Sequence, residues 1–266
     1  MAVHPSAELH PSAVIENGAE IGPGCSIGPF CLVGAQVRLA ANVMLKSHVV
    51  LTGDTGIGEG TKIFSFAVIG EIPQDMKYRG EQTRLIIGAH NTIREHVTIN
   101  AGTAGGGGVT RIGDDGLFLA GCHIAHDTQV GNRVIVVNSA AIAGHCVIED
   151  DVLIGGLCGI HQFVRIGRGA IIGAVTMVTH DVIPYGLVHA ARGELEGLNL
   201  IGLKRRGASK AEITALRAAF QTLSDGEGSF LDRVRSLKDE AAQYDHIAEI
   251  VDFILGPTER SFLTPG

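Results

Sequence analysis

The chain contains few aromatic residues. Of its 266 residues only 5% are aromatic, and tryptophan is absent. A large globular core usually takes much of its volume from aromatic rings. We therefore predict a narrow, uniformly repeated interior that is filled by aliphatic side chains of medium size.

Long apolar runs, a leader sequence and an excess of positive charge are also missing. No apolar run approaches the roughly 18 residues that span a bilayer. The start, MAVHPSAELHPS, has neither a basic region nor an apolar core of the kind found in signal peptides. The net charge of −7 argues against nucleic-acid binding, which needs a basic face. We expect a cytoplasmic protein with no membrane insertion and no nucleic-acid partner.

An aliphatic residue recurs every six positions. The repeat starts at Val3, continues through Leu9 and Ile15 to Ile69, and resumes at Ile87 in the same phase. It slips by one residue across the glycine-rich stretch 101–111 and then runs from Ile112 to Val178. An ordinary sandwich of short strands would instead give spacings of about 8–12 residues.

The residues between the aliphatic positions complete a six-residue unit. Glycine often follows the aliphatic position, called i here, and position i+4 is small or β-branched. One inward side chain, a corner that glycine permits and a second compact inward residue describe one side of a triangular coil. We predict a mainly β protein, a parallel β-helix with three units per turn and about 4.8 Å between turns.

All five cysteines fall at position i+4: Cys25, Cys31, Cys122, Cys146 and Cys158. They are predicted to be small buried side chains, and not metal ligands, nucleophiles or disulfide partners.

The pattern divides the chain in two. The predicted β-helix covers residues 1–186, with loops at 71–83 and 101–111. Residues 187–266 are predicted to form a connector, GELEGLNLIGLKRRG, and a helical domain that covers the end of the coil. A capping box of Ser209 and Glu212 opens the first helix. Further helices are expected over 230–241 and from about 246 to 255.

The sequence HIAHD at 123–127 lies on this lattice. Residues 18 apart stand above one another, so His126, Gly144 and Gln162 form one file at position i+2, which should point outward. Asp127 lies beneath His145 in the neighbouring file. These residues should therefore share one edge within roughly 10 Å.

Three interpretations of this edge stay open. The histidines could simply face water, or His123, His126 and His145 could bind zinc as in β-helix carbonic anhydrases. Alternatively, His126 is a general base that Asp127 orients, beneath the peptide N–H of Gly144 as an oxyanion donor.

Several motifs together resemble one enzyme family. GEIPQDMKY at 70–78, HIAHD, AGH at 143–145, HQF at 161–163 and GLKRRG at 202–207 are similar to the UDP-N-acetylglucosamine O-acyltransferases that begin lipid A synthesis. The resemblance covers essentially the whole chain. It implies a left-handed β-helix, a homotrimer with active sites between subunits, and a C-terminal α-helical domain.

The resemblance also implies the reaction and the residues. A (3R)-hydroxyacyl group would pass from the phosphopantetheine of acyl carrier protein to the glucosamine 3-hydroxyl, with no metal, no other cofactor and no covalent acyl-enzyme. His126, Asp127 and Gly144 match the catalytic positions. The implied substrate-binding residues are Asp75, Lys77, His123, His145, His161, Gln162, Ala174, Asn199 and Arg205. Ala174 matches a position associated with acyl-chain length.

The chain departs from the family pattern at two places. Asn100 and Ala101 stand where the family commonly has a His-Arg pair, and Ile201 stands where it often has glutamate. Either difference could change recognition of the acceptor, including a preference for a 3-amino sugar and amide formation.

Overall fold

A computed structural model describes residues 2–189, 193–225 and 227–265. In these residues, short strands wind into a coil in which each strand pairs in parallel with the strand one turn away, as in the register of Ala2 with Glu20. The coil is a left-handed parallel β-helix, as predicted. Three sheets form its sides, and the C-terminal helices follow it in the chain.

The strand bounds repeat along each side of the coil. Sheet 1 contains Ala2–Val3, Glu20–Ile21, Arg38–Leu39, Asp54–Ile57, Arg84–Ile87, Val109–Ile112, Gln129–Val130, Val147–Ile148 and Arg165–Ile166. Sheet 2 contains Glu8–Leu9, Ser26–Ile27, Met44–Leu45, Lys62–Ile63, Thr92–Ile93, Leu117–Phe118, Ile135–Val136, Leu153–Ile154, Ile171–Ile172, Gly186–His189 and Glu194–Leu198. Sheet 3 contains Val14–Ile15, Leu32–Val33, Val50–Leu51, Val68–Glu71, Thr98–Asn100, His123–Ile124, Ala141–Ile142, Gly159–Ile160 and Met177–Val178.

The six-residue lattice places the core as predicted. Beyond the first turn of the coil, the aliphatic residue of each unit is buried, as are its i+4 partners, and together they fill the triangular interior. All five cysteines are among these buried residues and carry free thiols. Mid-sized side chains suit this interior because parallel turns at a fixed spacing leave little room for large rings.

The glycines at i+1 have a different role from the one predicted. Apart from Gly70, they do not adopt the left-handed conformation; in the regular turns position i+3 does, with φ of 60° at Asp127 and 62° at His145. A Cβ added at Gly58 would lie 2.3 Å from the Gly88 carbonyl carbon, and one at Gly22 would lie 2.7 Å from that of Ala40. At these two positions glycine is needed because the backbone of the next turn approaches too closely for a side chain.

The region after the coil holds more structure than the predicted connector. Strand Glu194–Leu198 pairs antiparallel with Gly186–His189, and a short helix, Leu200–Arg205, follows it. Leu195 and Leu198 of this strand are buried.

The C-terminal helices span Lys210–Asp225, Phe230–Ser236, Lys238–Ala241 and Asp245–Leu255. The predicted capping box forms, since the Ser209 N–H donates to Glu212 at 2.7 Å and the Glu212 N–H donates to the Ser209 hydroxyl at 3.2 Å. The helix expected over 230–241 is interrupted at Leu237, whose ψ of 11° departs from helical geometry and whose side chain is buried. The last helix contacts the coil, where Arg168 pairs with Glu249 at 2.7 Å.

Candidate active site

The HIAHD segment leaves sheet 3 and turns the corner toward sheet 1. Ile124 ends the strand and is fully buried in the coil interior. The next three residues form the corner, with Asp127 in the left-handed conformation. The corner places the His126 and Asp127 side chains outside the coil interior and next to each other.

His126 and Asp127 form a hydrogen-bonded pair. The His126 Nδ1 lies 2.8 Å from Asp127 Oδ2. The same carboxylate accepts the Thr103 N–H on Oδ1 at 2.8 Å and the Thr103 hydroxyl on Oδ2 at 2.6 Å. An ionised carboxylate only accepts hydrogen bonds, so Nδ1 carries the proton and Nε2 keeps its lone pair. That lone pair can accept a proton from a substrate.

The pair is covered, whereas the sequence predicted side chains that face outward. His126 is 7% exposed and Asp127 is 4% exposed. The segment 101–108, which includes a short 3₁₀ helix at Ala104–Gly106, lies over them. A Cβ on Gly106 would lie 2.1 Å from the Asp127 Cγ. The glycine-rich composition of this segment therefore lets backbone close directly on the carboxylate.

Gly144 lies one turn along the coil against the imidazole, as predicted. A Cβ at this position would lie 2.6 Å from His126 Cε1 and 2.8 Å from Nε2. Among the described residues, the Gly144 N–H meets no acceptor. Glycine thus leaves room for the ring and presents a free N–H donor beside it.

His145 and Phe163 extend the site. The His145 and Phe163 rings stack at 4.5 Å, and His145 meets His126 edge-on at 5.0 Å. His145 Nδ1 lies 3.8 Å from Asp127 Oδ2. Burial lowers the pKa of His145, against the opposing effect of Asp127. His145 is therefore neutral near pH 7 and does not compete, as a cation, with His126 for the Asp127 carboxylate.

A cleft of about 260 Å³ opens beside these rings. It brings together parts of the chain that the sequence separates: the 71–83 loop, the 101–108 segment, and the corner residues His145 and Phe163. Its lining residues are Asp75, Lys77, Tyr78, Glu81, Thr103, Gly105, His145 and Phe163. The predicted substrate-binding residues Asp75, Lys77 and His145 therefore share one cavity.

The other predicted substrate-binding residues do not line this cleft. His123 Nδ1 lies 2.7 Å from the Thr98 hydroxyl, and its pKa is lowered by burial and by the nearby His126. His161 is exposed and contacts Arg260 at 3.1 Å, and Gln162 is also exposed.

Ala174, Asn199 and Arg205 lie in or after the last turns of the coil. Ala174 and Arg205 are exposed. Both polar groups of the Asn199 amide are used within the chain, since Nδ2 donates to the Gly169 carbonyl at 2.8 Å and Oδ1 caps the helix Leu200–Arg205. In a single chain these three residues do not line the cleft beside His145.

The residues that depart from the family pattern are placed differently from one another. Ile201 is 67% exposed, whereas Asn100 and Ala101 are buried. The Asn100 side chain donates to the carbonyls of Glu71 and Ile72, at 3.3 and 3.1 Å, and so holds the base of the 71–83 loop. Asn100 can therefore influence the cleft through the loop that carries Asp75 and Lys77.

The predicted alternative of a zinc site named His123, His126 and His145. In the described residues, the group whose ligand atoms converge within 4.8 Å is His126, Asp127 and His145, without His123. Asp127 in that group already receives three hydrogen bonds from His126 and Thr103.

Sequence reasoning missed Thr103, Gly106 and Phe163. Phe163 carries a detectable signal, because it stands 18 residues after His145 in the same file. The six-residue repeat gives no signal for Thr103 and Gly106, because both residues lie where the repeat is interrupted.

The chain is similar to known proteins of one enzyme family. Residues 181–263 match the family described as Udp N-acetylglucosamine O-acyltransferase, domain 2. The acyl-[acyl-carrier-protein]–UDP-N-acetylglucosamine O-acyltransferase of Paracoccus denitrificans is 67% identical over 203 residues, which cover 76% of this chain and 77% of the relative. The Rhizobium etli enzyme of the same name is 48% identical over 215 residues, covering 81% and 79%. The UDP-N-acetylglucosamine acyltransferase structure from Campylobacter jejuni superimposes with a TM-score of 0.91 at 38% identity, covering 97% of this chain and 100% of that one.

The coil and its relatives define an acyltransferase built of hexapeptide repeats. More specifically, the chain belongs to the acyl-[acyl-carrier-protein]–UDP-N-acetylglucosamine O-acyltransferase family, the acyltransferases of lipid A biosynthesis. None of the described helices has the length and apolarity to span a bilayer.

Proposed function

We propose that the chain transfers a (3R)-hydroxyacyl group from acyl carrier protein to the 3-hydroxyl of UDP-N-acetylglucosamine, with His126 as general base. The observation that carries this proposal is the hydrogen bond of 2.8 Å between His126 Nδ1 and Asp127 Oδ2 beside the free N–H of Gly144. The names of the relatives supply the donor and the acceptor.

The proposed reaction proceeds in two proton transfers. His126 Nε2 takes the proton from the sugar hydroxyl as its oxygen attacks the thioester carbonyl carbon. The oxyanion of the tetrahedral intermediate accepts the Gly144 N–H. When the intermediate collapses, the carbon–sulfur bond breaks and the imidazolium returns the proton to the leaving thiolate. Asp127 fixes the Nδ1–H tautomer and stabilises the imidazolium charge.

We propose direct transfer, with no acyl-enzyme, and the position of the thiols supports this by disfavouring an acyl-cysteine. All five cysteines are buried in the coil interior. Burial raises the pKa of Cys122 and of Cys146 to about 12, so the nucleophilic thiolate is not formed near neutral pH.

The remaining parts of the proposal concern assembly and binding. We propose a homotrimer in the cytoplasm, with no metal or other cofactor. In it, His123, His161, Gln162, Ala174, Asn199 and Arg205 would complete the substrate site from the same or a neighbouring subunit. Light scattering tests the trimer, and elemental analysis that finds zinc at one ion per subunit would instead favour the metal hypothesis.

The test of the base is His126→Gln. General-base catalysis contributes roughly 10²- to 10⁴-fold, so transfer from hydroxyacyl carrier protein to UDP-N-acetylglucosamine should fall by about that factor. His90→Gln is the matched control, because His90 is an exposed corner histidine outside the cleft. Turnover of His126→Gln within a few-fold of the parent enzyme would exclude His126 as the base.

A second acceptor is supported by one feature. The family commonly has a His-Arg pair where this chain has the uncharged residues Asn100 and Ala101, both buried beside the 71–83 loop. Without a positively charged side chain at these positions, an acceptor with a 3-ammonium group would meet less electrostatic repulsion. Parallel assays with UDP-N-acetylglucosamine and its 3-amino analogue, with donors of graded chain length, decide between ester and amide formation.

A further inference from the structure

Thr103 connects the covering segment to the catalytic pair. It is 6% exposed and meets the Asp127 carboxylate with both of its donors, the N–H at 2.8 Å and the hydroxyl at 2.6 Å. Its carbonyl accepts the N–H of Gly106 at 3.1 Å and of Gly108 at 2.8 Å. One residue therefore both shapes the covering segment and holds the carboxylate.

The backbone on either side of Thr103 packs against the Asp127 carboxylate. Cβ positions built on Gly102 and Gly106 lie 2.9 Å from Asp127 Oδ1 and 2.1 Å from Asp127 Cγ. The backbone of the segment thus lies directly against the carboxylate. A buried carboxylate stays undersatisfied when an apolar group takes the place of the donor, as the added methyl group does in Thr103→Val.

We propose that Thr103 is a positioning residue for the proposed acyl transfer, acting through Asp127 to fix the orientation and proton affinity of His126. The inference rests on the proposed function, because it presumes that His126 is the base. It also explains why the segment 101–108 is rich in glycine: only a backbone without side chains at Gly102 and Gly106 can bring Thr103 to this distance.

The charged surroundings set the direction of the effect. The titratable groups that face the pair are His145, at 3.8 Å from Asp127 Oδ2, and His123, which is electrostatically coupled to His126. Asp75, across the cleft, acts on His145. With the Thr103 hydroxyl gone, Asp127 Oδ2 has His126 Nδ1–H as its remaining close donor. The carboxylate becomes more basic and favours the imidazolium form more strongly.

The test compares Thr103→Val, Thr103→Ala and Thr103→Ser. Hydrogen bonds to charged groups are strong, so kcat should fall by roughly 10- to 100-fold in the valine and alanine variants. KM for the sugar nucleotide should change by less than about threefold. The acid limb of the kcat/KM profile should move to higher pH, since His126 then holds its proton more tightly. Serine keeps the hydroxyl donor and should recover most of the lost rate.

A matched control separates positioning from folding. Thr61 is likewise buried and donates its hydroxyl to the Gly88 carbonyl at 3.0 Å, away from the catalytic pair. Thr61→Val should lower the melting temperature as much as Thr103→Val does, without changing kcat or the pH profile. If the valine variant does not fold, the alanine and serine variants carry the comparison.

Two results would overturn the inference: an unchanged pH profile with kcat near that of the parent enzyme, or a serine variant as slow as valine. Failure of the proposed function looks different. In that case the parent enzyme transfers no hydroxyacyl group to either acceptor, or His126→Gln is fully active.

Discussion

Replacing Gly144 with alanine tests the contact on which the proposed chemistry depends. Gly144 does not use a left-handed conformation, so alanine is compatible with the backbone. The new Cβ would nevertheless lie 2.6 Å from His126 Cε1, 2.8 Å from Nε2 and 3.0 Å from Nδ1. Carbon atoms in contact prefer about 3.5 Å or more, so the ring must move by roughly 1 Å.

That displacement sets the expected loss of rate. The imidazole cannot move by this amount and keep the bond of 2.8 Å to Asp127. A misplacement of about 1 Å can cost roughly 100-fold, which corresponds to about 2.7 kcal/mol in the activation free energy. The added methyl group also lies close to the N–H that is proposed to bind the oxyanion. We expect Gly144→Ala to lower kcat by about 100-fold or more, and KM to change little.

The assay is the steady-state rate of acyl transfer at saturating donor and acceptor, with thermal unfolding as the measure of stability. Gly156→Ala is the matched control, because Gly156 occupies the same corner position in a neighbouring file. A Cβ there would meet Asn138 O at 3.3 Å, which requires a shift of only a few tenths of an ångström. If Gly144→Ala folds and turns over within about threefold of the parent enzyme, the proposed packing of base against oxyanion donor is refuted.

Three further predictions use other contacts. All five thiols are buried, and burial raises the pKa of Cys122 and Cys146 to about 12, so a maleimide at pH 7 should leave the five thiols unmodified and the acyl-transfer activity unchanged. Mass spectrometry and the activity assay measure these two outcomes. Rapid labelling of the native protein would contradict the prediction. Burial lowers the pKa of His123, so the unfolded state binds more protons than the folded state below about pH 6.5, and the free energy of unfolding should decrease on acidification. Denaturant unfolding at pH 7.5 and 5.5 should show a smaller decrease for His123→Gln than for the parent enzyme. An equal decrease would contradict the assignment of this pH dependence to His123. Asn100→Ala should raise KM for the sugar nucleotide by roughly fivefold, because the side chain no longer donates to the carbonyls of Glu71 and Ile72 that hold the 71–83 loop. A lower kcat at constant KM would show that Asn100 does not act through substrate binding by this loop.

The regular part of the fold could be predicted from the sequence. An inward residue every six positions fixes which residues stand above one another, so the position of Gly144 against His126 followed from counting by 18. The burial of the cysteines followed from the same counting. These predictions depend on local repetition alone, which a single sequence displays directly.

The covering of the site could not be predicted in this way. Residues 101–108 lack a repeating aliphatic position, and the sequence gives no sign that Thr103 meets Asp127. The strand Glu194–Leu198 was missed because it pairs with a neighbour that is close in the chain but antiparallel, outside the six-residue lattice. Contacts made where the repeat is interrupted depend on tertiary geometry.

The backbone N–H at the corner position of Gly144 has a counterpart at other corners of the coil. At the equivalent position of another corner, the N–H of Asn132 donates to the carboxylate of Asp150, which lies 18 residues later in the chain, at 2.8 Å. Gln162 stands in that same relation to Gly144. An aspartate at residue 162 would be placed to accept the Gly144 N–H, and would then occupy the donor that the proposed mechanism assigns to the oxyanion.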